Sequence, residues 1–406
     1  MTGTALLLLV VGGLALLLGG RSGRPALIFL GAGIIASHAI PLAFLDLETV
    51  SATLRAQIDQ VAAIALIASL AWCAGYWVFA RSKAVVPHVS QPETDAPPRR
   101  IHIAALIALV GLITAAPGGL IGFAQTGFLR LPVDSFLFSL TYAAAVLAAF
   151  TTALISVHAA ASRQPTSWIS MALVLLAFWL LGGRTQFAIT VIGFCLVYLA
   201  HGRVRLRTLV LPGVAAGILA ALTLSFRLTL QGTETGLSAA LPLMIKQMSL
   251  LDGYALSARY VDEFGFAGWH YWDTLQQIFP RALFPEKPVQ LSKALRLMEA
   301  RDTLGGLTPG LAGEAFAAGG LIGVAGISLA FGSALALFDN AYRRLPEMAP
   351  MVQALVVCLL PVLAIFVLRG GFDTAIFRIV VVLGAFTFGS FWQATHRDVR
   401  VASAYP

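Results

Sequence analysis

The chain has 406 residues, of which 58% are hydrophobic and 11% charged, with a formal net charge of +8. A soluble domain carries roughly 25% charged residues, so a water-soluble fold is excluded. The basic excess is not a nucleic-acid footprint, because most of it lies in short segments between apolar runs, where membrane topology places it.

Taken in chain order, apolar runs of bilayer length predict spans over residues 4–19, 25–45, 61–80, 103–123, 136–157, 166–183, 185–200, 209–226, 317–338, 349–368 and 374–392. The expected fold class is therefore all-α: a polytopic integral membrane protein of about eleven transmembrane helices forming a single membrane domain. No basic residue precedes the first run, so it reads as a span and not as a cleavable signal. The sixth and seventh runs are short and joined by almost nothing. Cys73, Cys195 and Cys358 each fall inside an apolar run, with no CxxC pair, and read as packing residues.

Lys and Arg set the orientation. One set of loops holds fourteen of them, including Arg21, Arg24, Arg81, Arg343 and Arg344, and the short loops of the other set hold four: Arg55, Arg130, Arg184 and Arg369. The positive-inside rule then predicts a cytoplasmic C-terminus, and an odd span count an extracytoplasmic N-terminus. Residues 81–100 are Pro-rich and polar and read as a mobile cytoplasmic linker.

Residues 227–315 form a large extracytoplasmic loop carrying nine of the nineteen acidic residues. It is rich in aromatics, Leu, Met and Ala, which argues for order. From about Leu237 to Phe264 apolar residues recur at three- and four-residue spacing, the pattern of helices lying in the membrane interface. Phe266-Ala-Gly-Trp269-His270-Tyr271-Trp272 follows, and Trp and Tyr favour the headgroup level.

Four features could carry chemistry. Arg184 sits in a tight outer turn, Gly182-Gly183-Arg184-Thr185; Arg227 ends the eighth span. Arg281 and Lys287 are presented by Phe279-Pro280-Arg281-Ala-Leu-Phe284-Pro285-Glu286-Lys287-Pro288, whose prolines restrict the backbone. Glu314 lies in Thr308-Pro309-Gly310-Leu-Ala-Gly313-Glu314-Ala-Phe-Ala-Ala-Gly319-Gly320-Leu-Ile-Gly323, where the chain re-enters the membrane. Guanidinium groups match phosphate oxygens bidentately, so this set suits a diphosphate, and a nearby carboxylate suits deprotonation of a sugar hydroxyl. The simpler roles are interface anchoring for Arg184, Arg227 and Lys287 and capping or pairing for Glu314. Arg378, inside the last span, is a further candidate, with pairing to Asp373 as the structural alternative. His270 stands among interface aromatics, and His38, just before Pro41, reads as a hydrogen-bonded helix histidine. No DxD, HExxH or close carboxylate cluster suggests a metal.

From residue 180 to 338 these features, in this order, resemble the Wzy-type O-antigen and exopolysaccharide polymerases, the oligosaccharide repeat unit polymerases. The resemblance implies a GT-C-like membrane glycosyltransferase in a bacterial inner membrane. It would extend undecaprenyl-diphosphate-linked oligosaccharide without metal, cofactor or nucleotide sugar. Implied roles are diphosphate binding for Arg184, Arg227 and Arg281 with Lys287 assisting, and general base for Glu314, with His270 as second choice. Expected partners are the lipid-linked substrate, membrane lipids and a chain-length regulator, with no nucleic acid. One subfamily pattern, arginine followed by ten residues and glycine, is absent: the corresponding positions after Arg184, Arg227, Arg281 and Arg296 are Cys195, Ser238, Ser292 and Leu307. Rival expectations are an O-antigen ligase or other lipid-linked glycosyltransferase, and a lipid-linked sugar transporter or flippase.

Overall fold

The computed structural model describes residues 2–44, 51–80, 99–115, 136–162, 168–180, 184–205, 249–268, 270–276, 286, 288–298 and 309–404. All of the regular structure among them is helical. In chain order the helices are α1 (Thr2–Ser22), α2 (Pro25–Ile34), α3 (Ile40–Ala43), α4 (Ala52–Ala56), α5 (Ile58–Ala80), α6 (Arg99–Ala115), α7 (Phe136–Ser162) and α8 (Trp168–Leu180). There follow α9 (Arg184–Ala200), α10 (Leu251–Phe264), α11 (His270–Gln276), α12 (Leu291–Met298), α13 (Gly310–Tyr342), α14 (Pro350–Pro361), α15 (Leu368–Gly370) and α16 (Phe372–Ala404). Among the described residues, six helices are long and apolar enough to cross a membrane: Gly3–Ser22, Pro25–Ala43, Ile58–Ala80, Ala143–Ala161, Gly310–Tyr342 and Pro350–Gly370. The chain is a helical membrane protein. Phe187–Ala200 and Ala375–Ser390 are apolar but shorter, and the expected eighth span lies outside the described residues.

Two compact units divide the chain, Met1–Ala84 with Arg207–Arg343 and Leu363–Ile376, and Val85–Leu206 with Arg344–Val362 and Phe377–Pro406. The first is built on α5 and α13. Their backbones approach closely because small residues meet carbonyls at the seam. A Cβ added at Gly75 would lie inside the contact shell of the Leu329 carbonyl oxygen, and one at Gly332 inside that of Trp72. Membrane helices lack a hydrophobic drive toward one another, so this close packing of small residues takes its place. Ser333 and Asn340 of α13 donate to the Gly75 and Phe79 carbonyls at 3.3 and 3.0 Å. The matching registers make the two helices parallel.

Near the Asn340 end of α13, α2 begins without a cap of its own, for its N-cap residue is Arg24 and Pro25 follows. Asp339 of α13 supplies the acceptor: Ala26 and Leu27 donate their N–H groups to its carboxylate at 2.9 and 3.3 Å, and the Tyr76 hydroxyl donates at 2.5 Å. Arg24 donates to the Tyr76 hydroxyl and to the Ala80 carbonyl. A fully buried carboxylate is tolerable only when so surrounded by donors.

Further along, Pro41 cannot donate to the carbonyl of Ser37. The helix answers with a π-turn over Ile35–Ala39, and Leu250, just ahead of α10, donates its N–H to the freed Ser37 oxygen at 3.4 Å. His38, on this π-turn, is fully buried, stacks on Trp72, and bonds Ser69 Oγ through Nδ1 (3.0 Å) and the Tyr254 hydroxyl through Nε2 (2.7 Å). It is the hydrogen-bonded helix histidine that the sequence suggests. Helix α10 differs from expectation. Its first two turns are buried almost all round, and only Asp262–Phe264 at its far end are exposed. Gly253, Ala255, Ser257 and Ala258 make it slim enough to enter between other helices, where a bulkier amphipathic helix would lie on the surface.

In the second unit α7 packs with α6, α9 and α14. His102 bonds Thr151, Arg203 donates to the Ala160 carbonyl, and His201 bonds Gln353.

Candidate functional site

The carboxylate and the imidazole singled out in the sequence meet. Glu314 Oε1 lies 3.8 Å from His270 Nε2, with Glu314 wholly buried and His270 6% exposed. Three local features create the meeting.

The first is a break in α13. Gly319 (φ −161°, ψ 26°) and Gly320 (φ 60°, ψ −154°) leave helical geometry, and at Gly320 the left-handed φ favours glycine. The break frees the Ala317 carbonyl, which accepts from the Ala267 N–H at 2.8 Å, while the Phe266 ring packs over Gly320. Docked in this way, the turn between α10 and α11 delivers His270 as the first residue of α11, its N–H bonded to the Ala267 carbonyl at 2.9 Å.

The second is the start of α13. Gly310 (φ 60°) opens the helix, and the Cβ position of Gly313 lies 3.0 Å from Ser257 Oγ of α10. With no side chain there, the first turn seats against α10 with Glu314 turned inward.

The third is the start of α16. Gly371 (φ 83°) precedes it, and the Phe372 N–H donates to Glu314 Oε2 at 2.6 Å. A Cβ at Gly371 would collide with the Glu314 carboxylate, so glycine is required twice over. The Tyr271 ring packs edge-on to Phe372 at 6.3 Å between centroids and closes the site from the side of α11. One carboxylate oxygen thus caps a helix and the other faces an imidazole.

The basic candidates are distributed differently. Arg227, Arg281 and Lys287 lie outside the described residues. Arg184 is the first residue of α9, in the second unit. Arg378 is also in the second unit, buried, and lines a small cavity of about 40 Å³ with Thr190, Gly193, Cys358 and apolar neighbours. The side chain of Asp373, its suggested partner, is not described. Sequence reasoning missed Gly371 and Phe372 as parts of the site. The available signal was Gly370-Gly371 before an apolar run, the mark of a helix junction. Arg369, two residues before Gly371, is part-buried.

No family model, curated protein or solved structure matches this chain.

Proposed function

We propose that the protein is a membrane glycosyltransferase that polymerises undecaprenyl-diphosphate-linked oligosaccharide repeat units on the outer face of a bacterial inner membrane. The observation that carries the reading is the approach of Glu314 and His270 within the segment whose motifs resemble the repeat unit polymerases. In this reading the full chain crosses the membrane eleven times in a GT-C-like arrangement, with the N-terminus outside, the C-terminus in the cytoplasm and residues 227–315 extracytoplasmic.

The chemistry follows from the groups. A sugar hydroxyl of the acceptor unit attacks the anomeric carbon of the donor, the bond from that carbon to the diphosphate oxygen breaks, and the diphosphate leaves as an anion. Glu314 takes the hydroxyl proton, and His270 beside it shares the charge change. Arg184, Arg227, Arg281, Lys287 and Arg378 are the candidates for holding the diphosphate, because guanidinium and ammonium groups stabilise the charge that develops there.

The test is reconstitution in liposomes with a defined lipid-linked repeat unit and EDTA, with products separated on a gel. A ladder of lengthening glycans that disappears in Glu314→Gln supports the reading. Units that cross the bilayer unextended would make the protein a transporter. Transfer only to an added second acceptor would make it a ligase.

A further inference from the structure

Helix α13 sets a length scale. Its 33 residues, unbroken, would measure about 50 Å, well beyond the roughly 30 Å of a hydrocarbon core. The part beyond the Gly319–Gly320 break, from Leu321 to Tyr342, is about 22 residues, or about 33 Å. That part ends on Arg343 and Arg344, cations that belong at a headgroup layer. The break therefore falls at the opposite boundary between hydrocarbon and headgroups. Ile322, just inside it, is 88% exposed, as a lipid-facing residue of a span is.

The turn that docks on the break carries aromatics on the outside. Phe266, seated over Gly320, is 62% exposed, and Phe264 and Trp272, on either side of it in the chain, are 66% and 61% exposed. Immediately before them come polar groups, the Arg259–Glu263 ion pair and the Gln57–Asp262 hydrogen bond. Polar groups, then an exposed aromatic cluster, then exposed aliphatics is the order met on crossing from water through headgroups into hydrocarbon. Phe266, seated over Gly320, joins this turn to α13 beside the exposed Leu321 and Ile322. In water such a cluster would be an unprotected apolar patch.

We propose that Phe264, Phe266 and Trp272 form an aromatic collar seated in the headgroup layer of the bilayer, which places the Glu314–His270 pair at membrane-interface depth. Glu314 lies less than two turns before the break, so collar and pair share one level. This rests on the membrane assignment and not on glycosyl transfer.

Nitroxide labels read the depth directly. Cysteine is placed singly at Phe264, Phe266, Trp272, Ile322 and Glu263 in full-length protein whose native Cys73, Cys195 and Cys358 are replaced by alanine, and the protein is reconstituted in phosphatidylcholine–phosphatidylglycerol vesicles. Collision with oxygen, which partitions into lipid, should exceed collision with a water-soluble nickel chelate several-fold at the three collar positions and at Ile322→Cys. The ratio should reverse at Glu263→Cys. Nickel-dominated relaxation at all three collar positions would show a loop standing in water and overturn the proposal. Shielding from both reagents would mean that protein, not lipid, covers the surface, and would overturn it equally. If the cysteine-free protein fails to fold, the native chain with lipids brominated near the headgroup serves instead. Trp272→Phe should then remove a strongly quenched part of the tryptophan emission, and unchanged quenching would refute the collar.

Discussion

Glu314 and Asp339 stand near opposite ends of α13, and each gives its carboxylate to the N-terminus of another helix. Glu314 accepts from the Phe372 N–H at the start of α16; Asp339 accepts from Ala26 and Leu27 at the start of α2. Helix N-termini carry unsatisfied N–H groups and favour negative charge. The two sites differ in what else they hold: Asp339 has Tyr76 and, through it, Arg24, and Glu314 has an imidazole at 3.8 Å. In the first arrangement both carboxylate oxygens accept from donors, and in the second, one oxygen faces an imidazole.

This contrast separates stability from activity. Asp339→Ala strips the acceptor from two backbone donors and a buried hydroxyl, at about 1–3 kcal/mol for each group left unsatisfied. A lowered thermal midpoint in detergent is expected, with Asp339→Asn falling between. Activity per folded molecule should be retained. Glu314→Gln keeps an oxygen for the Phe372 N–H, so its midpoint should stay near wild type while glycan extension is lost. If Asp339→Ala and Glu314→Gln lost stability and activity in the same proportion, the division of labour would be wrong.

Gly371 offers a second handle on the same carboxylate. Alanine there must adopt a positive-φ, extended-ψ backbone that is essentially confined to glycine, costing about 1–3 kcal/mol, and its Cβ would strike Glu314. Gly371→Ala should therefore reduce extension as strongly as Glu314→Gln and also lower the midpoint. Gly384→Ala is the control, because nothing lies within 4 Å of its Cβ position. Should Gly371→Ala extend glycans normally, the Glu314 position described would not be the working one.

The apolar character of the spans could be read from hydropathy, since it is a local property of the chain. Glu314 stood out for the same reason, as a carboxylate in a glycine-rich re-entry. Its cap on Phe372 did not, because the partner lies 58 residues onward and no local pattern encodes it. Asp339 escaped notice although a trace of it was present: α2 starts Arg24-Pro25, with no residue able to cap it, so an acceptor had to come from elsewhere. The periodicity of 237–264 suggests interfacial helices, of which only Leu251–Phe264 is described; there the small residues Gly253, Ala255, Ser257 and Ala258 are the better guide, since they permit close approach of neighbouring helices. For Arg378 the sequence shows a cation within an apolar run; its burial beside a cavity and its neighbours there are tertiary properties that the run does not reveal.

The α5–α13 seam should be intolerant of side chains. Gly75→Val and Gly332→Val each place carbon atoms where the Leu329 or Trp72 carbonyl oxygen stands, and the helices can admit them only by separating and giving up the Ser333–Gly75 and Asn340–Phe79 bonds. Losses of about 1–3 kcal/mol each, typical of overpacking, should appear as reduced yield and a lower midpoint. Gly326→Ala, on the same helix in open space, should change neither. Equal tolerance at all three positions would mean that the seam is looser than described.

The His38–Tyr254 bond ties the loop helix α10 to the second span, and a double-mutant cycle measures it. Burial pushes the Tyr254 phenol well above its ordinary range, so the hydroxyl stays protonated through the working pH. A neutral imidazole offers one donor and one acceptor, and both are engaged, with Ser69 and with Tyr254. Tyr254→Phe removes one partner of a buried bond. The cost should be about 1 kcal/mol, the scale of side-chain hydrogen bonds between membrane helices, plus whatever the imidazole loses on being left without that partner. His38→Phe orphans Tyr254 and Ser69 in turn. If the bond is real, the double variant should cost less than the sum of the two single variants, because the second change removes the group that the first left unsatisfied. Thermal midpoints of the four proteins in one detergent give the coupling. Strict additivity would show that the His38–Tyr254 bond adds nothing to what holds α10.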